Sequence, residues 1–209
     1  MIVKNFGERH TGTNVIKFIV NNNFNARYAH YKVLGFKHRI APSEEELSKY
    51  DINNILFIIT VRNPYDWITR MKKQPYAFQW PAIKNLPMSE FLKVPFPEDY
   101  ENIIKMWNAK YDSYLKLMEK VPHSFLFTQE DIALKPETIF KKIGKKLNSK
   151  SNEYIFPENH MTGHGEKGSF NKSYFEKKSY IEPIKPYLDI INKQLDTKLT
   201  EKLGYEIIT

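Results

Sequence analysis

Gly7-Glu8-Arg9-His10-Thr11-Gly12-Thr13-Asn14 decides the fold once its flanks are read with it. Before it, Ile2–Phe6 reads as a short buried strand; after it, Asn14–Asn22 carries apolar residues at 15, 16, 18, 19 and 20, as a helix packed on a sheet does. Strand, glycine-rich turn and helix in succession cradle a phosphate, because backbone N–H groups and the helix N-terminus face the anion together. The glycine spacing is G-x-x-x-x-G, but Thr13-Asn14 stands where nucleoside-triphosphate enzymes have Lys-Ser/Thr. That lysine reaches the β/γ-phosphates and that hydroxyl holds Mg²⁺. A cradle lacking both predicts a phosphate-bearing nucleotide that is not a Mg-triphosphate.

Working outward, Tyr31–Phe36 is expected to be a second strand ending at Lys37-His38, followed by a short helix or acidic loop over Ser43–Lys49. Ile55–Val61 (ILFIITV) is apolar without alternation, the pattern of a central strand buried on both faces. Asn63-Pro64 ends it and opens a helix to about Lys73, and residues 74–87, with three prolines, read as a loop. Met88–Val94 and the amphipathic Asp99–Lys120 are expected helices, Ser124–Thr128 a strand, and Lys135-Pro136-Glu137 the start of a helix to about Leu147. Asn148–Asn171, with few aliphatics, reads as a loop, and the tail from Ile181 as helix interrupted by Pro183 and Pro186. Strands alternating with helices predict one α/β domain over residues 1–209, a three-layer sandwich around a mostly parallel sheet.

Composition bounds the partners. The 209 residues carry 32 Lys+Arg against 24 Asp+Glu, a net charge of +8 that favours anionic ligands. The lysines are scattered in pairs without a basic block, so nucleic acid ranks last among them. Without cysteine there is no disulfide, thiolate metal site or cysteine nucleophile, which fits a reducing compartment. No signal-like segment precedes the glycine loop and no apolar run nears the roughly 20 residues of a membrane span, so a soluble, cytoplasmic protein is expected. His160 and His164 with Glu158 and Glu166 form a loose cluster without zinc spacing, and no metal is expected.

In an open α/β sheet the ligand lies beyond the carboxyl ends of the strands. The glycine loop, Lys37-His38, Arg62-Asn63-Pro64 and Gln129-Glu130-Asp131 all follow expected strands and converge there. Tyr76 and Trp80 offer aromatic faces suited to a sugar or flat-ring substrate beside it.

At these residues the chain resembles the sulfotransferases that use 3′-phosphoadenosine-5′-phosphosulfate (PAPS). Residues 9–14, RHTGTN, are similar to that family's 5′-phosphosulfate loop, a Lys or Arg followed by S/T-G-T-T. Residues 61–70, VRNPYDWITR, resemble its 3′-phosphate segment, an Arg and a Ser eight residues later. Residues 127–143, FTQEDIALKPETIFKKI, and Leu203-Gly204-Tyr205 resemble later segments of its core. The chain departs from the pattern at His10, in the usual place of Lys or Arg, with Arg9 beside it, and at Arg70, in the usual place of Ser, with Thr69 beside it.

The resemblance implies transfer of a sulfuryl group from PAPS to a hydroxyl or amine of a carbohydrate or small molecule, releasing the 3′,5′-bisphosphate PAP, with no metal. Gly7, Arg9, His10, Thr11, Gly12, Thr13 and Asn14 would hold the 5′ end. Arg62, Thr69 and Arg70 would hold the 3′-phosphate, and Lys167 and Gly168 lie in a late loop expected to cover the nucleotide. Arg9 and His10 would meet charge on the leaving group. His38 would be the base, with Lys37 supporting it. Plain structural alternatives stay open: a tight turn at Gly7 and Gly12, an ion pair at Arg62, a solvated charge at Arg70, a packed imidazole at His38. At the level of the whole protein the alternatives are a degenerate P-loop kinase and a noncatalytic binder of 3′,5′-bisphosphonucleotides.

Overall fold

The computed structural model describes residues 1–76, 83, 85–96, 100–162, 165–169 and 171–209, with backbone alone at 160, 162 and 165–169. In chain order the elements are β1 (Ile2–Phe6), α1 (Thr13–Asn23), β2 (Arg27–Tyr28), α2 (Glu44–Ser48), β3 (Ile55–Val61), α3 (Pro64–Lys73), α4 (Met88–Phe91) and α5 (Ile103–Lys120). Then come β4 (Ser124–Thr128), α6 (Gln129–Leu134), α7 (Pro136–Gly144), β5 (Asn159–Thr162), β6 (Gly165–Ser169), α8 (Lys172–Glu176), α9 (Ile181–Ile184), α10 (Leu188–Asn192) and α11 (Thr197–Lys202). Short 3₁₀ turns precede β3 and α10.

β1 to β4 form one all-parallel sheet in the order β2-β1-β3-β4. β3 is flanked on both sides, Ile55–Ile59 against Ile2–Phe6 and Phe57–Val61 against Ser124–Thr128. Its side chains explain the unbroken apolar run. Ile55, Phe57, Ile59 and Val61 enter one core and Leu56 and Ile58 the other, so neither face meets water. α1, α6 and α7 cover the second core through Val15, Ile16, Ile19, Ile132, Ile139, Phe140 and Ile143. α3, α5 and the C-terminal helices cover the first through Trp67, Ile68, Trp107, Tyr111, Ile184, Ile191 and Leu199. The result is an α/β protein with helices on both faces of a four-stranded parallel sheet. The strand order turns back between β1 and β3, and a ligand crevice is expected at that switch point.

Two expectations are corrected. Tyr31–Phe36 is not a strand: the second strand is the two-residue β2, and residues 31–34 form a turn. Leu34 and Gly35 take φ of 56° and 79°, a left-handed pair that no strand accommodates. The expected loop Asn148–Asn171 contains an antiparallel hairpin, β5 with β6, whose polar, glycine-containing strands lack the alternation that marks a strand. Two short helices, α6 and α8, are not among the expected elements, and the other differences are at element ends. α4 stops at Phe91 and α7 at Gly144, and α5 starts at Ile103 where Asn102 caps it; Asp99 lies outside the described residues. Among the described residues no helix is long and apolar enough to cross a membrane.

The cap of α5 is buried. Asn102 Oδ1 accepts from the N–H groups of Ile104 (3.0 Å) and Lys105 (3.1 Å), while its Nδ2 donates to Gln194 Oε1 (2.5 Å). One side chain thus satisfies two orphan helix donors and ties α5 to the C-terminal helices. Replacing Asn102 by Ala is expected to cost about 2 kcal/mol, read as a lower urea midpoint at unchanged m-value.

Candidate functional site

The loop between β1 and α1 is shaped by close contacts. A side chain at Gly7 would place Cβ 2.3 Å from Thr60 Oγ1 and 2.4 Å from its carbonyl oxygen, so only glycine lets the chain pass β3 here. Gly12 takes φ of 92°, and His10, with a side chain, takes φ of 65°, a conformation costing on the order of 1–2 kcal/mol. Three donors hold the loop's carbonyls: Thr11 Oγ1 to Glu8 O (2.7 Å), Trp67 Nε1 to Arg9 O (3.0 Å) and Arg62 Nη1 to His10 O (2.8 Å). With those acceptors occupied, α1 begins at Thr13 with no side-chain cap, leaving its first-turn N–H groups to meet a ligand.

The segment after β2 reaches the loop without being a strand. Gly7 N–H donates to Lys37 O (3.0 Å), and His38 Nδ1 bonds Gly7 O. A carbonyl can only accept, so Nδ1 carries the proton and Nε2 keeps its lone pair. Burial first, then the charges of Lys37, Lys110 and Arg9, push the His38 imidazole down to about 3, against the Gly7 hydrogen bond that raises it. His38 is therefore neutral at physiological pH, in one tautomer. Burial and the nearby Lys17 and Arg9 bring Lys37 down to about 8, and its Nζ donates to Asn14 Oδ1 (2.5 Å).

At the end of β3, Asp66 gathers three partners. Arg62 Nε donates to Oδ2 (2.6 Å), Tyr174 OH to Oδ1 (2.5 Å), and Arg70 Nε lies 3.7 Å from Oδ1. The guanidinium groups are faced by aromatic rings of α8, Arg70 by Tyr174 at 4.4 Å and Arg62 by Phe175 at 5.3 Å. Thr69 is buried, and its hydroxyl donates to Asp66 O (2.7 Å).

A cleft of two lobes lies over these groups. One, of about 460 Å³, is lined by Arg62, Arg70, Gln129, Tyr174 and Phe175 among others. The other, of about 390 Å³, is lined by Arg9, Thr13, Asn14, Phe36, Lys37, His38 and Tyr76. His10, Gly12, Gln74 and Met161 line both and form the saddle between them. Neither described lining contains a carboxylate, so the cleft is suited to anions. Among the described residues Arg9 Nε, Arg70 Nε and Gln129 Oε1 are buried without a hydrogen bond, Arg70 Nε keeping only its longer ion pair to Asp66, an expensive state for a polar group that no ligand meets. His10 Nε2 donates to Gln74 O (2.8 Å), and burial above all brings its imidazole down to about 4. His10 is thus a neutral spacer whose proton points at the protein.

Beneath the cleft runs a network that sequence spacing does not reveal. Lys110 Nζ on α5 donates to Glu8 Oε1 (2.7 Å) and to the His38 carbonyl (2.7 Å). Tyr76 OH donates to Glu8 Oε2 (2.6 Å), and the Glu8 N–H meets Tyr111 OH at 3.4 Å. Glu8 and Lys110 are both buried, 102 residues apart in the chain. A lysine on the otherwise apolar face of α5, beside Trp107, Tyr111 and Tyr114, is the one sequence signal of such a partner.

The structure thus brings Arg9, His10, Gly12, Thr13, Asn14, Lys37, His38, Arg62, Arg70 and Tyr76 to the cleft, leaves Gly7 buried outside both linings, and turns the Thr11 and Thr69 side chains inward. Trp80 and His164 lie outside the described residues, as do the side chains of His160, Glu166 and Lys167 on β5 and β6, and Gly168 is described by its backbone in β6. Tyr174, Phe175, Gln74 and Lys110 join the site unannounced by the motifs, and Gln129 lines it as its place after a strand leads one to expect. Known families add nothing to this picture: no protein-family model matches the chain, and no curated protein matches it significantly.

Glu130 accepts from Asn63 N–H (3.2 Å) and Tyr205 OH (2.8 Å), pinning the turn after Arg62 to the C-terminus. The Glu8–Lys110 pair is the more consequential anchor. Lys110→Met is expected to destabilise the protein by about 3–5 kcal/mol, because it strands a buried carboxylate. Adding Glu8→Gln should recover much of that loss in a double-mutant cycle by urea unfolding.

Proposed function

We propose that the chain is a PAPS-dependent sulfotransferase, acting on a hydroxyl or amine of a carbohydrate or small molecule. The observation that carries this reading is the division of a cationic, carboxylate-free cleft by residues 10–12. Arg62 and Arg70 lie on one side, and Arg9, Lys37 and His38 on the other. A nucleotide with anionic groups at both its 3′ and 5′ ends matches that division, and a nucleoside triphosphate, with all its charge at one end, does not. The fit is supported by Arg9 Nε, which has no hydrogen-bond partner among the described residues, and by the uncapped first turn of α1. Asn14, at the position of a Mg²⁺-binding hydroxyl, has its carbonyl oxygen taken by the Lys37 ammonium, which disfavours a divalent cation there.

On this reading Gly7, Arg9, Thr11, Gly12, Thr13 and Asn14 surround the 5′ end of PAPS, and Arg62 and Arg70 hold the 3′-phosphate. When bound, PAPS supplies an activated sulfuryl group and leaves as PAP. His38 accepts the acceptor's proton at Nε2 while Gly7 O holds its Nδ1–H, so ring and tautomer are set in advance. Its basicity is suppressed in the free protein by burial first and then by neighbouring cations, and an anion beside it offsets the cations' part. Arg9 and Lys37 donate to negative charge that develops in the second lobe. Tyr76, held by Glu8, forms a wall of that lobe, where an acceptor ring is held. His10 favours one further reading, a noncatalytic binder of PAP, because its only ring proton is committed to Gln74 O.

Calorimetry with PAP is the first test, and absence of binding sinks the proposal. A thermal-shift panel should show stabilisation by PAP without Mg²⁺ and none by Mg-ATP. Arg70→Met should weaken PAP about 10- to 100-fold, the worth of one charged hydrogen bond. Affinity should fall as pH rises past about 8, where Lys37 loses its charge, and should stay flat there in Lys37→Met. Transfer of labelled sulfate to pooled acceptors separates enzyme from binder. His38→Asn should lower turnover by about 10²- to 10⁴-fold with PAP affinity nearly unchanged.

A further inference from the structure

Gln129 is the first residue of α6, delivered to the carboxyl end of β4 by Thr128, whose side chain caps the helix by accepting from Asp131 N–H (2.9 Å). Its side chain is 3% exposed, yet Oε1 has no partner and neither amide atom hydrogen-bonds among the described residues. Gln129 also lines the lobe that holds Arg62 and Arg70. Its position within that lobe is set by Gly12: a Cβ at residue 12 would lie 2.6 Å from Gln129 Oε1 and 2.8 Å from Ile132 Cδ1. The glycine that turns the phosphate loop therefore also makes room for the amide. A buried amide oxygen with no partner among the described residues is costly, and here it belongs to a residue that lines a cavity.

The chemistry of the missing partner follows from what the amide offers. An orphaned Oε1 needs a donor, and a phosphate or sulfate oxygen at neutral pH can only accept. A hydroxyl both donates and accepts, so it pairs with the amide in either orientation of the amide plane. Resting on the proposed reading, with one phosphate of the nucleotide at Arg62 and Arg70 and the other at the glycine loop, the sugar bearing both spans the lobe that Gln129 lines. We infer that Gln129 recognises the ribose 2′-hydroxyl of the 3′,5′-bisphosphonucleotide and makes the site selective for ribo- over 2′-deoxyribonucleotides.

The test compares adenosine 3′,5′-bisphosphate with its 2′-deoxy analogue by calorimetry on the full chain. Wild type should bind the ribo form about three- to tenfold more tightly, the range of a single neutral hydrogen bond. In Gln129→Met, close in volume and without polar atoms to satisfy, the two should bind alike. Equal binding of both nucleotides to wild type overturns the inference without needing any variant, and so does full discrimination retained by Gln129→Met. The inosine bisphosphate is a further arm: discrimination against it that is lost in Gln129→Met overturns the inference by moving the contact to the base. Failure of wild type to bind either nucleotide is a different result, which removes the sulfotransferase reading itself.

Discussion

The ion pair between Glu8 and Lys110 joins everything that the cleft requires. Glu8 belongs to the glycine loop, Lys110 to the longest helix, and both lie in an interior where neither charge survives alone. The free valences of the pair do the joining. Lys110 also holds the His38 carbonyl, and Glu8 also holds the Tyr76 hydroxyl. The loop, the segment after β2 and the chain leaving α3 are thereby tied to one helix at one point. Such a pair contributes little net stability over an apolar replacement, but it defines position. A shift of α5 would carry the imidazole, the aromatic wall and the loop together.

The same logic recurs at Asp66. Arg62 needs burial to sit at the end of β3 and needs a carboxylate to be buried. Asp66, one helical turn later on α3, supplies it and still leaves Arg62 Nη1 for the His10 carbonyl. Trp67 does the same for the Arg9 carbonyl. The loop is thus fastened by its oxygen atoms, and the strained φ of His10 is borne by these fastenings. Hydrogen bonding inside the protein is incomplete at Arg9, whose buried Nε–H has no acceptor among the described residues.

What the sequence made legible follows from range. The glycine loop, the unbroken β3 and the capped helices are set by neighbours within a few residues, and each was readable from spacing alone. Arg62 and Lys37-His38 were legible as strand-end residues even though Tyr31–Phe36 is no strand, because the segment meets the loop through backbone hydrogen bonds that do not need a strand. The glycine at 35 was the signal against that strand. Glu8 with Lys110, Asp66 with Tyr174, and Gly12 with Gln129 are meetings across 102 to 117 residues of chain. No local periodicity encodes them. The β5–β6 hairpin escaped for another reason: its strands are polar, and its pairing rests on backbone bonds.

His38 shows how the pieces act on one another. Its low pKa in the free protein, about 3, looks unsuited to a base when taken alone. The causes are burial and three cations, Lys37, Lys110 and Arg9, two of which line the same lobe. An anion in that lobe is attracted by those two cations and offsets their effect on the imidazole, so ligand binding and basicity rise together. Lys110 stays paired with Glu8 throughout, and the Gly7 carbonyl holds the Nδ1 proton, so the gain falls on Nε2 alone. A free imidazole near its ordinary pKa would be partly protonated before any ligand arrived. Suppressing that charge keeps the Nε2 lone pair of the free protein available.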